Sequence, residues 1–461
     1  MAASFAESFN RLTRSPGFKF FLVVLLIFIL TIPLALVWFV VNERENRSAA
    51  VKQELAQLFG GEQQLIGPLL IVPYTVQIKR IQDNKEIEET HERYATFLPD
   101  DFLAEGEAKS EIRRRSIYEV TLYSARLKLS GQFSAPDIRL IEPDAANVRW
   151  RDAILSIGLS DVSGLKEAAS LRIDGGRTIA FEPSIGLPDG HAPGLHVRLF
   201  PVGGSIDQAP GTFRFETELV FNGSSRLTIA PIGRNSQLVL KSDWPHPSFN
   251  GAFLPESREI SSDGFTASWR VPHLARSIPQ AWRTDAQQAG SIHATLFPVL
   301  SGVSFFVPVD YYALVNRAAK YALMFLSVAF LAVLVLELTS GRRIHAVQYV
   351  FVGLTMILFY VLLLSLSEHI GFTLAYLIAS GATGGMLSLY TGKAMQSAAR
   401  GLIMLFVFLI LYGLLYLILR LEDFALLAGA VAGFIMLTVT MFATLRINWS
   451  GEAASPAGQQ S

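Results

Sequence analysis

Few residues of this 461-residue chain have both a type and a setting suited to chemistry. Glu337 lies near the inner end of an apolar run, where a carboxylate is costly unless it is paired or reaches the interface. It could serve as a coupling or proton site. Arg342 and Arg343 follow within about a turn and a half, so an ion pair or a snorkelling anchor is the blander role. Glu368 and His369 close the next run at its outer end. Histidine changes charge near neutral pH, so this pair could titrate or contact a ligand, or be two polar residues in a solvated turn. His191 and His196 bracket a Pro/Gly loop, and His246, His273 and His293 are spread along the middle of the chain. A zinc site wants a tight ligand set such as H-E-x-x-H or paired cysteines. The chain has neither, and no cysteine at all. No G-x-S-x-G elbow, phosphate-binding loop or dinucleotide fingerprint occurs either. The expectation is therefore no catalytic, cofactor-binding or metal-binding residues, and no enzymatic activity.

The elements that carry these residues are mostly apolar. Hydrophobic residues make up 51% of the chain and charged residues 17%, and mean hydropathy is +0.37, which favours a membrane protein. Lys plus Arg equal Asp plus Glu at 39 each, so net charge gives no argument for a nucleic-acid partner. The lipid bilayer is the expected partner. Spans about 20 residues long are expected at 18–41, 319–340, 347–366, 371–391, 401–420 and 424–445. The first run is too long for the core of a signal peptide and lacks a cleavage site. Pro33 inside it is a kink or a hinge. Arg11, Arg14 and Lys19 flank it, which makes residues 1–17 cytoplasmic. Alternation then places 42–318 outside and the polar tail 446–461 inside, so both termini are cytoplasmic. Tyr311, Tyr312, Tyr321 and Trp449 have the setting of interfacial anchors.

Helical spacing of Val51, Leu55 and Leu58 carries the first helix out of the membrane as far as Gly60-Gly61, a stop signal. Beyond it, runs of strand length recur between Gly, Pro, Asn and Asp up to about residue 302. In Thr212–Asn222, Phe213, Phe215, Thr217, Leu219 and Phe221 alternate with Arg214, Glu216 and Glu218, one dry face and one wet. The fold class that follows is a multi-pass α-helical membrane protein of about six spans, with a large all-β, sandwich-like domain inserted between spans 1 and 2 on the outer side. Within it, Asp243-Trp244-Pro245-His246-Pro247-Ser248-Phe249 is a rigid loop. Its two prolines forbid ladder hydrogen bonds, so Trp244, His246 and Phe249 form a candidate recognition surface, or a corner that packs Trp244 inward. In the spans, Gly381-x3-Gly385 and Gly429-x3-Gly433 allow close helix approach, within one bundle or in a homo-oligomer.

Four stretches make the chain recognisable: GPLLIVP at Gly67–Pro73, GRNSQLVLKSDWPHPSFNGAFLP at Gly233–Pro255, NRAAKYALMF at Asn316–Phe325, and QYVFVGLTMILFYVLLLSLSEHIGFTLAYLIAS at Gln348–Ser380. Together they resemble the CreD family of bacterial inner-membrane proteins, over nearly the whole chain. The resemblance implies a role in cell-envelope integrity under envelope stress, with no established reaction and no catalytic residues to carry over. Two readings of function follow. In the first, the β domain binds or scaffolds an unidentified periplasmic or membrane partner. In the second, the chain is the membrane component of a system that moves envelope lipids or lipoproteins with a separate ATPase. An ATPase among the neighbouring genes would favour the second.

Overall fold

The computed structural model describes residues 16–82, 85–187, 192–200, 209–305, 311–340, 344–421 and 424–445. Arg11, Arg14, His191, Arg342, Arg343 and the tail 446–461 with Trp449 thus lie outside the described residues. The chain forms two compact units, a helical one of Met1–Ser48 with Val309–Ser461 and a β unit of Ala49–Pro308.

The long helices are α1 (Pro16–Leu58), which belongs to the helical unit as far as Ser48, α2 (Tyr311–Ser340), α3 (Ala346–Ile370), α4 (Phe372–Ala394), α5 (Ala398–Arg420) and α6 (Ala425–Thr444). Among the described residues, α1 to α5 are long and apolar enough to cross a membrane. In α6 the apolar stretch is shorter, Leu427–Val439. Pro33 does not break α1, which ends just before Gly60 and Gly61, both at positive φ. Two boundaries differ from expectation. α2 starts at Tyr311, ahead of residue 319, because Tyr312, Val315, Ala318, Ala319 and Ala322 continue one buried stripe. The gap of 367–370 expected between two spans closes to Gly371 alone, whose φ of 77° turns the chain between α3 and α4 in a conformation that favours glycine. Phe351, Leu358, Leu377, Leu402, Phe406 and Leu409 remain exposed, as a surface solvated by hydrocarbon permits.

Two sheets make the β unit, nine-stranded and eight-stranded among the described residues. The first runs β13 (Pro247–Gly251), β17 (Ser301–Phe305), β11 (Arg226–Ile229), β1 (Gln63–Gln82), β5 (Ile154–Leu159), β9 (Gly194–Arg198) and β8 (Glu182–Pro183). The far half of β1 pairs instead with β2 (Lys85–Phe97), which carries β16 (Ala281–Asp285) on its other side. The second runs β14 (Ser257–Ser261), β15 (Gly264–Pro272), β12 (Asn235–Ser242), β3 (Asp101–Arg115), β4 (Tyr118–Phe133), β10 (Phe213–Ser224), β6 (Ser170–Ile173) and β7 (Arg177–Ala180).

Strict alternation explains the second sheet. In β10, Phe213, Phe215, Leu219 and Phe221 are buried while Arg214, Glu216 and Glu218 face water. The antiparallel register sets Leu219 against Leu127 and Thr217 against Leu129 of β4, so both strands turn the same face inward. One apolar core joins these to Leu65, Tyr74, Leu155 and Val303 of the first sheet. The all-β, sandwich-like expectation holds.

Candidate functional sites

Glu337 is the most constrained charge of the helical unit. Its side chain is 1% exposed, and three elements converge on it. Lys19, near the start of α1, donates to Oε1. The Ile344 backbone N–H donates to the same oxygen at 2.9 Å, and the Tyr349 hydroxyl of α3 donates to Oε2 at 2.8 Å. The partner weighed from sequence was Arg342 or Arg343; the described partner is Lys19, 318 positions away. With both oxygens engaged, the carboxylate is neutralised in place, which lifts much of the cost of a charge at this depth. A second tie between α1 and α2 lies further along. Trp38 Nε1 donates to Asn316 Oδ1 at 3.2 Å, and Asn316 Nδ2 donates to Glu45 Oε2 at 2.9 Å. From Lys19 to Trp38 a helix rises roughly 30 Å, about the thickness of a hydrocarbon core.

Glu368 accepts a hydrogen bond from the Tyr312 hydroxyl at 3.0 Å. His369 is exposed on the last turn of α3, where its Nδ1 lies 2.9 Å from the Ser365 carbonyl. The two residues therefore sit in a helix and face different surroundings, and they form no joint site. A polar aromatic cluster in the spans escaped the sequence reading. Tyr376 donates its hydroxyl to the Tyr412 carbonyl at 2.6 Å, and the Tyr412 hydroxyl meets Thr383 Oγ1 at 2.9 Å. These groups hold α4 to α5. Tyrosines inside otherwise apolar runs were the available signal.

The Asp243–Phe249 loop leads into β13, an edge strand, as its prolines require. Of the three residues named for recognition only His246 is exposed. Trp244 is buried, its Nε1 donating to the His246 carbonyl at 3.1 Å. Phe249 packs edge-on against Phe265 and Trp269. Trp244 is thus a core residue of a corner, because turning the indole inward buries its area and satisfies its one donor, and Phe249 packs half-buried against the same core.

Among the described residues no three His, Asp or Glu side chains gather as metal ligands. The buried polar groups of the β unit are instead separate. Glu142 Oε2 accepts from Arg93 at 2.6 Å and from Arg283 at 2.8 Å, and burial pushes the neighbouring Tyr74 hydroxyl up to about 12. His293 is buried with Nε2 3.2 Å from Ser156 Oγ, and burial lowers it to about 4. The Arg276 guanidinium is lowered to about 10 by burial and then by Arg234.

A groove of about 1290 Å³ opens on the wet face of the second sheet. Asp101, Gln132, Arg172, Arg214, Gln237 and Arg270 are among its lining residues. Arg172 pairs with Glu216 at 3.2 Å, and the Arg214 backbone N–H donates to Asp174 at 2.8 Å. Both signs of charge are thus present, on strands held rigid by their ladders.

The glycine pairs divide. A Cβ on Gly429 would come 2.8 Å from the Tyr321 ring, and one on Gly433 would touch Met324, so this pair packs α6 on α2. Gly381 and Gly385 have open space around them. The close approach of α4 to α5 belongs to Gly392 and Gly401, where a Cβ on either would lie 3.1 Å from the other's Cα.

Apolar helices before and after one large inserted β unit define a multi-pass membrane protein. The family model described as Inner membrane protein CreD matches residues 15–450. Inner membrane protein CreD of Escherichia coli (strain K12) is 32% identical over 423 residues, 92% of this chain and 91% of that protein. The chain belongs to the CreD family.

Proposed function

We propose that this protein supports envelope integrity in the bacterial inner membrane by binding a partner through its β unit, which the helical unit anchors. In this reading six helices span the bilayer, both termini are cytoplasmic and the β unit stands in the periplasm. The spacing of the two α1–α2 ties supports the placement of α1, and the relative's name supports the membrane. The observation that carries the binding role is the groove on the second sheet. A preformed polar concavity of this size, lined from several strands, suits an extended polypeptide segment of an envelope protein better than a small metabolite.

The test is photocrosslinking in cells from Gln132 and Gln237, read by mass spectrometry, beside the same probe at the exposed His246. A protein captured from the groove and lost in an Arg214→Glu, Arg270→Glu variant is the expected result. Capture only at His246, or the same capture in both proteins, overturns the reading. The alternative, a membrane component working with a separate ATPase, would appear as an ATPase copurifying with the helical unit.

A further inference from the structure

Between α4 and α5, at the end of both helices where the chain turns from one to the other, lies a groove of about 640 Å³. Gly392 and Gly401 let the two backbones come together at its floor. Gly385, with nothing within 4 Å of its Cβ position, leaves one wall open. Leu389, Leu402 and Leu405 form the apolar sides, and the first two are among the most exposed leucines of the helices. A slot of this kind inside hydrocarbon admits a flexible chain and gains nothing by admitting water.

Its mouth is charged. Lys393 lines it and is exposed, and among the described residues no carboxylate lies within ion-pair distance of it. The helices that form the groove supply none either, since from His369 to Leu421 there is no Asp or Glu. Arg400, one turn into α5, donates to the Met395 carbonyl at 3.3 Å and adds a second positive charge to the same turn. Apolar walls below an uncompensated cationic rim match an acyl chain below an anionic headgroup.

We propose that this groove is a site for one anionic phospholipid, held by its acyl chain between α4 and α5 and by its phosphate against Lys393. The test uses the full chain in nanodiscs of equal parts phosphatidylglycerol and phosphatidylethanolamine, released and weighed by native mass spectrometry. The wild-type chain is expected to retain phosphatidylglycerol in preference. Gly385→Leu projects a side chain into the groove from a position with room for it, and is expected to lower retained phosphatidylglycerol at least about fivefold. Lys393→Gln is expected to reduce the preference over phosphatidylethanolamine by about fivefold, the effect of one basic residue at a membrane surface. Gly381→Leu, one turn outside the groove, is expected to change neither. Equal retention of both lipids by the wild-type chain overturns the proposal, as does an equal loss in Gly381→Leu and Gly385→Leu. So does a dimer that Gly385→Leu dissociates, because the groove would then hold a second copy. If Gly385→Leu does not fold, Leu402→Trp fills the groove from α5 and is read the same way.

Discussion

The two units of this protein bury charge in opposite ways. In the β unit, most of the described ionised groups stay at the wet faces of the sheets, and the buried carboxylate, Glu142, is shared by two arginines that themselves reach solvent. In the helical unit a single carboxylate among the described residues, Glu337, is enclosed with Lys19, a tyrosine hydroxyl and a backbone amide. The difference follows from the solvent. A strand with one wet face can expel a charge by turning it outward, whereas a helix facing lipid must neutralise it or carry it to the interface. The β unit therefore spreads its polar chemistry over a surface, and the helical unit concentrates it at a point that joins α1 to α2 and α3.

The comparison can be broken most easily at that point. Lys19→Met leaves an enclosed carboxylate without its cation and is expected to cost about 3–5 kcal/mol, seen as loss of purified protein and a lower melting temperature in detergent. The double change Lys19→Met, Glu337→Gln should recover most of that loss; no recovery would show that the two charges act independently.

In the β unit the matching weak point is a neutral histidine. His293 takes a proton near pH 6.5 when unfolded but only near pH 4 when folded. Between those values the unfolded chain binds more protons, so stability falls as pH falls, by up to about 3 kcal/mol across the window. Melting followed by tryptophan fluorescence should show this slope, and His293→Gln should flatten it while leaving the acid response of the helices unchanged.

Glycine packing gives the smaller effects. Gly429→Leu must push aside the Tyr321 ring and is expected to cost about 1–3 kcal/mol. Gly381→Leu meets open space, and replacing a helical glycine there is expected to be neutral or to stabilise by up to about 1 kcal/mol. Equal effects at the two sites, measured by melting in the same detergent, would mean that α6 is not packed as described.

What could be read from the sequence divides along the same line. The alternation in β10 and the long apolar runs were plain because each depends on one local period and one solvent. Lys19 as the partner of Glu337 was not, because ion pairing between helices is set by packing, and the nearer Arg342 and Arg343 looked sufficient. The Asp243–Phe249 loop left two readings open, a recognition surface or a corner with Trp244 inside, for a related reason. Its prolines correctly put it outside a central strand, but they say nothing about which way Trp244 turns. The small-residue spacing at Gly381 and Gly385 matched a packing motif, yet the glycines in close contact, Gly392 and Gly401, lie on different helices and share no sequence spacing.

The first sheet also determines how the β unit can be handled as a module. Gln63, at the start of β1, lies beside Leu227 of β11, and Leu227 lies beside Val303 of β17. With strands about 4.8 Å apart, the two ends of this long insertion are held roughly 10 Å from each other by the sheet itself. A short loop could replace the whole insertion, and the excised segment could be closed on itself with a few residues. Evolution or an engineer can thus exchange the module without redesigning the helices that flank it.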